Sequence, residues 1–226
     1  GAAAELTMTE EALRRSPLYE ALQAAGAGFE VRSGWWVPAS LLSAADDAVT
    51  VLTIVDESAH GKLLLEGERA STVIAAVLGV QPPAVGMSVP IEGGRMYALR
   101  PDFFFVATHP GAEAELVERL HAAVGDAGGM VAVTDVTDGR SQIRVSGSVC
   151  RQLLPKLCGL DFRERSFPDG CGKISSLART TQLILRCDHD GVLSFRIVGG
   201  RSLGAYVWET MVQAGSEWGI SPVVGG

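Results

Sequence analysis

The 226-residue chain contains no asparagine. N-linked glycosylation is therefore excluded, because its acceptor motif requires that residue. Excess positive charge is also missing: 19 Lys and Arg face 26 Asp and Glu, a formal net charge of −7. The basic residues are scattered, which argues against the basic patch of a nucleic-acid surface. No apolar run reaches the ~18 residues that would cross a bilayer as a helix. The opening GAAAELTMTEEALRR lacks the basic-then-apolar layout of a secretory signal, and Gly1 reads as a tag remnant. Cysteine is sparse, at Cys150, Cys158, Cys171 and Cys187, with no CxxC pair and no histidine at zinc spacing. No metal is expected, and a reduced, cytoplasmic protein is. Hydrophobic residues at 47% and charged ones at 20% are ordinary for a globular fold with a sizeable core.

What is present is a repeated unit. KLLLEGERASTVIAAVLGV, from Lys62 to Val80, aligns without a gap on QIRVSGSVCRQLLPKLCGL, from Gln142 to Leu160. Gly67 falls on Gly147 and Gly79 on Gly159. Leu63/Ile143 and Leu65/Val145 step by two, as on a strand. Ala70/Cys150, Val73/Leu153, Ile74/Leu154 and Val77/Leu157 step by three or four, as on a helix. Each copy reads as strand, glycine turn, helix and glycine cap. A second echo lies downstream: Phe104–Leu120 (FFVATHPGAEAELVERL) aligns on Phe195–Met211 (FRIVGGRSLGAYVWETM). The predicted fold is α+β and internally duplicated. Residues 1–128 and 129–226 form two related halves about a pseudo-dyad, within one compact unit.

Local signals fill in the rest. Thr7 to Glu10 offers a capping box for a helix ending near Arg15. Ser16 and Pro17 then open a helix that Gly26 stops, with Leu18, Leu22 and Ala25 as its inner face. Phe29–Pro38 reads as a strand or hairpin with Trp35 and Trp36 pointing opposite ways, one of them into the core. Ala48–Val55 is β-rich. Met87–Ile91 and Arg95–Leu99 form a hairpin around Glu92-Gly93-Gly94. Strand Phe103–Ala107 leads to a helix from Pro110 to Val124, with Leu116, Val117, Leu120 and Val124 inward. Strand Met130–Val136 opens the second half. Lys173–Ala178, Thr181–Cys187 and Val192–Val198 are its later strands, before a helix from Ser202 to about Gly215. Cys150 and Cys158 read as small buried residues.

Motifs for familiar chemistry are incomplete. Gly26-Ala27-Gly28 lacks the third glycine and preceding strand of a dinucleotide fingerprint. Gly172-Lys173 precedes Ile174, not Ser or Thr, so it is no P-loop. Ser146-Gly147 is no nucleophile elbow. His60, His109, His121 and His189 share no spacing and read as surface or turn residues. Asp56-Glu57-Ser58 reads as a solvated turn. Asp188-His189-Asp190 is the densest polar cluster. A solvated hairpin turn is its first reading, and a rim of acceptors for ligand N–H groups its second.

Several stretches resemble one family. SPLYEALQAAGAGFEVRSGWWVPAS (Ser16–Ser40) resembles the start of glycine-cleavage T-proteins, the aminomethyltransferases, and of related folate-dependent demethylases. DESAHGK (Asp56–Lys62) is similar to the segment before that family's glycine-turn strand. VAVTDVTDGRSQIRVSG (Val131–Gly147) and FPDGCGKISSLARTTQLILR (Phe167–Arg186) look most like the γ subunit of heterotetrameric sarcosine oxidase. WETMVQAGSEWGISPVVGG (Trp208–Gly226) is similar to the helix and loop that follow. The resemblance covers nearly the whole chain, and it implies a duplicated α+β folate-binding fold.

The departures carry as much information. The family's hairpin acids, one of them credited with catalysis, have no counterpart after Gly93-Gly94-Arg95-Met96-Tyr97. The family's late pterin-holding Glu corresponds to Arg196, which cannot accept a pterin N–H. The family's Arg-bearing motif and C-terminal barrel do not follow Gly226. The resemblance therefore implies first a non-catalytic binding or structural subunit beside a flavin-containing amine-oxidising partner. The alternative it implies is a stand-alone tetrahydrofolate-dependent aminomethyltransferase or demethylase. In that case Tyr97, Arg100, Asp188, Asp190 and Arg196 would face a central hole and bind the cofactor.

Overall fold

The computed structural model describes residues 13–39, 51–126, 128–189 and 191–219. In chain order its first elements are β1 (Arg14–Arg15), α1 (Tyr19–Ala24), β2 (Phe29–Arg32), β3 (Trp35–Pro38), β4 (Thr53–Asp56), β5 (Gly61–Glu66), α2 (Ala70–Leu78), β6 (Ser88–Ile91), β7 (Gly94–Arg100), β8 (Phe103–Thr108) and α3 (Glu113–Val124). The rest are β9 (Ala132–Asp135), β10 (Arg140–Ser146), α4 (Cys150–Leu157), β11 (Gly172–Leu177), β12 (Thr180–Arg186), β13 (Ser194–Gly200) and α5 (Gly204–Ala214).

Two five-stranded antiparallel sheets dominate. Their orders are β6-β7-β8-β5-β9 and β11-β12-β13-β10-β4. The plan of the two is the same, and each ends on a strand from the other half of the chain. β4 precedes β5 in sequence but pairs with β10, whereas β9 precedes β10 but pairs with β5. The registers agree as well: Leu63 faces Val106 and Leu65 faces Phe104, while Ile143 faces Ile197 and Val145 faces Phe195.

The turns that follow the exchanged strands are bonded alike. The Ser58 amide donates to Asp56 Oδ1 at 2.9 Å, and the Thr137 amide to Asp135 Oδ1 at 2.8 Å. The Gln142 amide donates to Ser58 Oγ at 3.1 Å, and the Lys62 amide to Thr137 Oγ1 at 2.9 Å. The Glu57 amide reaches the Gln142 carbonyl and the Val136 amide the Lys62 carbonyl, both at 2.9 Å. Gly67 and Gly147 turn each central strand into its helix with φ of 136° and 126°, a region that side chains disfavour.

Strand alternation sorts the side chains into layers. Leu63, Leu65, Met96, Ala98, Phe104 and Val106 pack under α2 and α3. Ile143, Val145, Ile184, Phe195 and Ile197 pack under α4 and α5, together with Leu18 and Leu22 of the N-terminal segment. The opposite faces meet each other, with Tyr97 and Phe105 of one sheet against Leu185 and Val198 of the other. The order is therefore helices, sheet, sheet, helices, with a thin middle layer. A small third sheet, β1-β3-β2, carries the tryptophan hairpin. Trp35 is buried and Trp36 half-buried, as the alternation predicts.

Some local expectations change. Arg14 and Arg15 form a short strand parallel to Trp35 and Trp36, not a helix end. The capping box at Thr7–Glu10 and the tail from residue 220 lie outside the described residues, as does the start of the Ala48–Val55 run. Ala25 is exposed, because α1 ends at Ala24. Gly79 caps α2 in the left-handed region, but Gly159 does not serve α4 in this way. That helix stops at Cys158, which is extended and bridges Leu177. Cys150 and Cys158 are buried, as expected.

The Gly67 turn is steric as well as torsional. A Cβ there would lie 2.2 Å from the Met130 carbonyl oxygen, a backbone atom that cannot swing aside. Gly67→Ala is expected to cost roughly 2–4 kcal/mol, because strain adds to the clash. Urea denaturation should show a lower midpoint at unchanged slope.

Candidate functional site

A cavity of about 300 Å³ opens between the two sheets. The middle layer supplies its walls. Arg95 and Tyr97 alternate with Met96 and Ala98 on β7 and so face the other sheet. Arg196 alternates with Phe195 and Ile197 on β13 and faces back. Thr108 and His109 end β8, Cys187 to His189 follow β12, and His60 comes from the loop between β4 and β5. The opposite end of the layer is apolar. There Leu64, Phe105, Val136, Leu183 and Val198 line a smaller space of about 140 Å³.

The polar end is built on one carboxylate. Glu57 is only 7% exposed, yet it accepts three side-chain hydrogen bonds from the second half. Arg196 Nε donates to its Oε2 at 2.7 Å, Arg144 Nε to its Oε1 at 2.5 Å and Gln142 Nε2 to its Oε2 at 3.2 Å. Arg144 and Arg196 are direct cross-strand neighbours. Like charges in that position repel, so the carboxylate between them is what lets the pair exist. Burial works to raise the Glu57 pKa, but the positive charges around it, Arg196 foremost, outweigh this and hold it at about 2. Burial also works against the Arg196 charge, and Glu57 overrides it, keeping the guanidinium protonated.

The loop that presents Glu57 is held from beneath. Lys62 is fully buried, and its Nζ donates to the carbonyls of Ser58 at 2.9 Å and His60 at 2.6 Å. Burial brings its pKa down to about 8. Asp56 accepts from the Ser16 hydroxyl and the Ser58 amide, and burial raises its pKa. The expected solvated turn at Asp56-Glu57-Ser58 is therefore wrong: all three are buried. What hid the burial is that the partners, Gln142, Arg144 and Arg196, lie 85 to 139 positions away in sequence.

His109, His121 and His189 are exposed, as expected, whereas His60 is half-buried. His60 and His109 come together at the cavity, with ring centroids 6.3 Å apart, and His189 joins its lining. Burial lowers the His60 pKa to about 4, so it is neutral at pH 7. Among the described residues, no His, Cys, Asp and Glu form a group that could hold a metal.

Of the five predicted cofactor residues, three share this cavity: Tyr97, Asp188 and Arg196. Asp190 lies outside the described residues. Arg100 sits elsewhere, exposed at the end of β7, where it pairs with Glu66 at 2.6 Å and stacks on Phe103. Asp188 is already engaged. Arg186 grips it at both oxygens, at 3.1 and 2.6 Å, and the Ser194 amide adds a third bond. Arg186 is in turn fixed by Glu164 and the Phe167 carbonyl. Tyr97 is buried, and burial keeps its hydroxyl protonated far above neutral pH. It is therefore a donor, as are Arg95 and Arg196.

The arrangement of paired sheets flanked by helices is shared with solved structures. A chain of the heterotetrameric sarcosine oxidase from Corynebacterium sp. U-96, solved with pyrrole 2-carboxylate, superposes with a TM-score of 0.71 at 24% identity, covering 93% of this chain and 98% of that one. The glycine cleavage system aminomethyltransferase T from Bartonella henselae gives 0.76 at 19% identity, covering 94% of this chain and 60% of that one. No curated protein sequence matches the chain. The family profile described as GCVT N-terminal domain matches residues 91–225. The chain belongs to this family, and with it to the T-protein-like superfamily.

Replacing Glu57 should test the network. Glu57→Gln strands two arginines and is expected to cost roughly 2–4 kcal/mol at pH 7. A carboxylate whose folded pKa is depressed gives stability that is full above its unfolded value and lost as pH falls toward the folded one. Wild-type stability should therefore fall between about pH 5 and pH 2 by more than that of Glu57→Gln. Denaturant titrations across that range would read the difference, and parallel pH profiles would refute the assignment.

Proposed function

We propose that the chain is a non-catalytic binding or structural subunit of an amine-oxidising or one-carbon complex, and that its flavin-bearing partner carries the chemistry. One observation carries this: Asp188, the one acid that lines the cavity among the described residues, and Glu57, which bonds Arg196 of its wall, are both held by arginines. Neither is left to serve a reacting amine, and general acid–base chemistry needs a group within reach of its proton. The full-length superposition on a chain of a heterotetramer supports the subunit reading. The duplicated plan, with halves 1–128 and 129–226, supplies two broad helical faces for docking. Its support is the matched register and turn bonding of the two sheets. The chain is taken to act in the cytoplasm, a reading that its four free cysteines support. Among the described residues no helix is long and apolar enough to cross a membrane.

Tetrahydrofolate is the cofactor that the family resemblance implies, and the residues present do not fit it in the family's manner. The pterin ring needs acceptors for its N–H groups, while Arg95 and Arg196 offer donors alone. The retained cavity is the observation that favours the second reading, a folate-dependent aminomethyltransferase or demethylase, with Tyr97, Asp188 and Arg196 lining its site.

Two measurements separate these readings. Co-expression with flavin-containing amine oxidase subunits, followed by size exclusion, should give a stoichiometric complex in which this chain co-elutes with flavin absorbance. Calorimetric titration of the isolated chain with tetrahydrofolate should give no binding near 1 μM, about −8 kcal/mol. A free monomer that binds tetrahydrofolate at that strength would reverse the preference.

A further inference from the structure

We propose that the cavity between the sheets is an oxyanion site, which takes a small molecule through a carboxylate or phosphate group clasped by Arg95 and Arg196. This goes beyond the subunit reading and does not depend on it. It starts from the charges that face the space. Arg196 bonds Glu57 through Nε alone, and its two terminal nitrogens make no hydrogen bond to other described residues. Glu57 is shared with Arg144, so one carboxylate answers two guanidinium groups and a positive charge is left over. Arg95, on the facing strand β7, spends one nitrogen on the neutral Ser88 hydroxyl at 3.0 Å and has no acidic partner among the described residues.

The remaining lining adds donors and no competing charge. Asp188 is the one acid that lines the cavity among the described residues, and Arg186 neutralises it by a two-point contact. Tyr97 also lines the cavity and carries no charge. Guanidinium groups present paired N–H donors that match the oxygens of a carboxylate or phosphate. Here one of the two is oriented from behind by Glu57, so its geometry is set before a ligand arrives. The formal charge of the whole chain is −7, so general attraction of anions to its surface does not produce the same outcome. A volume of about 300 Å³ suits a compact acid or a phosphate ester.

The test uses the full chain and three probes. Inorganic phosphate, succinate and the neutral ring compound 6-methylpterin are each titrated by calorimetry at low ionic strength, with sodium chloride as the control. Saturable one-site binding of phosphate or succinate, absent with chloride, is expected, and the stronger of the two identifies the preferred headgroup. Arg95→Gln should weaken that binding about tenfold or more, while the melting temperature without ligand stays near wild type. Arg196→Gln should weaken it further, and Arg196→Lys should restore part of it. No saturable heat with either anion at about 10 mM, a strength weaker than about −2.7 kcal/mol, overturns the proposal. So does an Arg95→Gln variant that binds as tightly as wild type, or a cavity that takes 6-methylpterin in preference to both anions. Loss of partner co-elution bears on the subunit reading alone and leaves these outcomes unchanged.

Discussion

Arg144 and Arg196 stand side by side on neighbouring strands, and only a carboxylate from the other half of the chain makes that tolerable. The position of Glu57 depends on the loop after β4, and that loop depends on a strand exchange. β4 leaves its own half to pair with β10, which brings Asp56 opposite Ile143 and Glu57 over Gln142 and Arg144. Lys62 then clamps the loop by its carbonyls, at the cost of burying an ammonium whose pKa falls to about 8. Burying this many charges is weak evidence for stability, since desolvation offsets much of the attraction. Its physical effect here is specific: it fixes how one sheet sits on the other and which donors are left facing the cavity.

The two sheets use matching register positions for opposite purposes. At the spacing of the first repeat, Arg144 corresponds to Leu64 (144 − 64 = 80), and at that of the second Arg196 corresponds to Phe105 (196 − 105 = 91). Leu64 and Phe105 are cross-strand partners, just as Arg144 and Arg196 are. Glu57 and Val136 follow equivalent carboxylate-capped turns. One triad is thus Glu, Arg and Arg, and the other is Val, Leu and Phe. The apolar triad fills its end of the middle layer with bulk, leaving about 140 Å³, and the charged one keeps about 300 Å³ open. Arginines that must stay hydrated or paired cannot collapse onto one another as Leu64 and Phe105 do.

This division explains what the sequence made legible. Core positions and the Gly67 and Gly147 turns follow from periodicity, because alternate burial on a strand is a local rule. The arginine at position 196 is legible from the family resemblance as well. Its consequence is not, because a surface-seeking pattern such as DESAHG reads the same whether its partners are water or distant arginines. Burial of Asp56, Glu57 and Ser58 is set by strand pairing, a non-local property. The meeting of His60 with His109 and the isolation of Arg100 from the cavity have that origin. Gly159 shows the converse failure. A local cap signal was present, and the Cys158–Leu177 bridge overrode it.

Arg196 on β13, with Arg144 beside it, puts guanidinium charge at the cavity wall, and Glu57 answers both. Removing one member alone leaves an unpaired buried charge, which costs several kcal/mol. Glu57 and Arg196 must therefore act as a unit, although 139 positions separate them. A double-mutant cycle between them should give a coupling well above the ~0.5 kcal/mol seen for independent sites. The cavity chemistry of this chain then follows from that pair, with the rest of the T-protein-like fold acting as the frame that holds it.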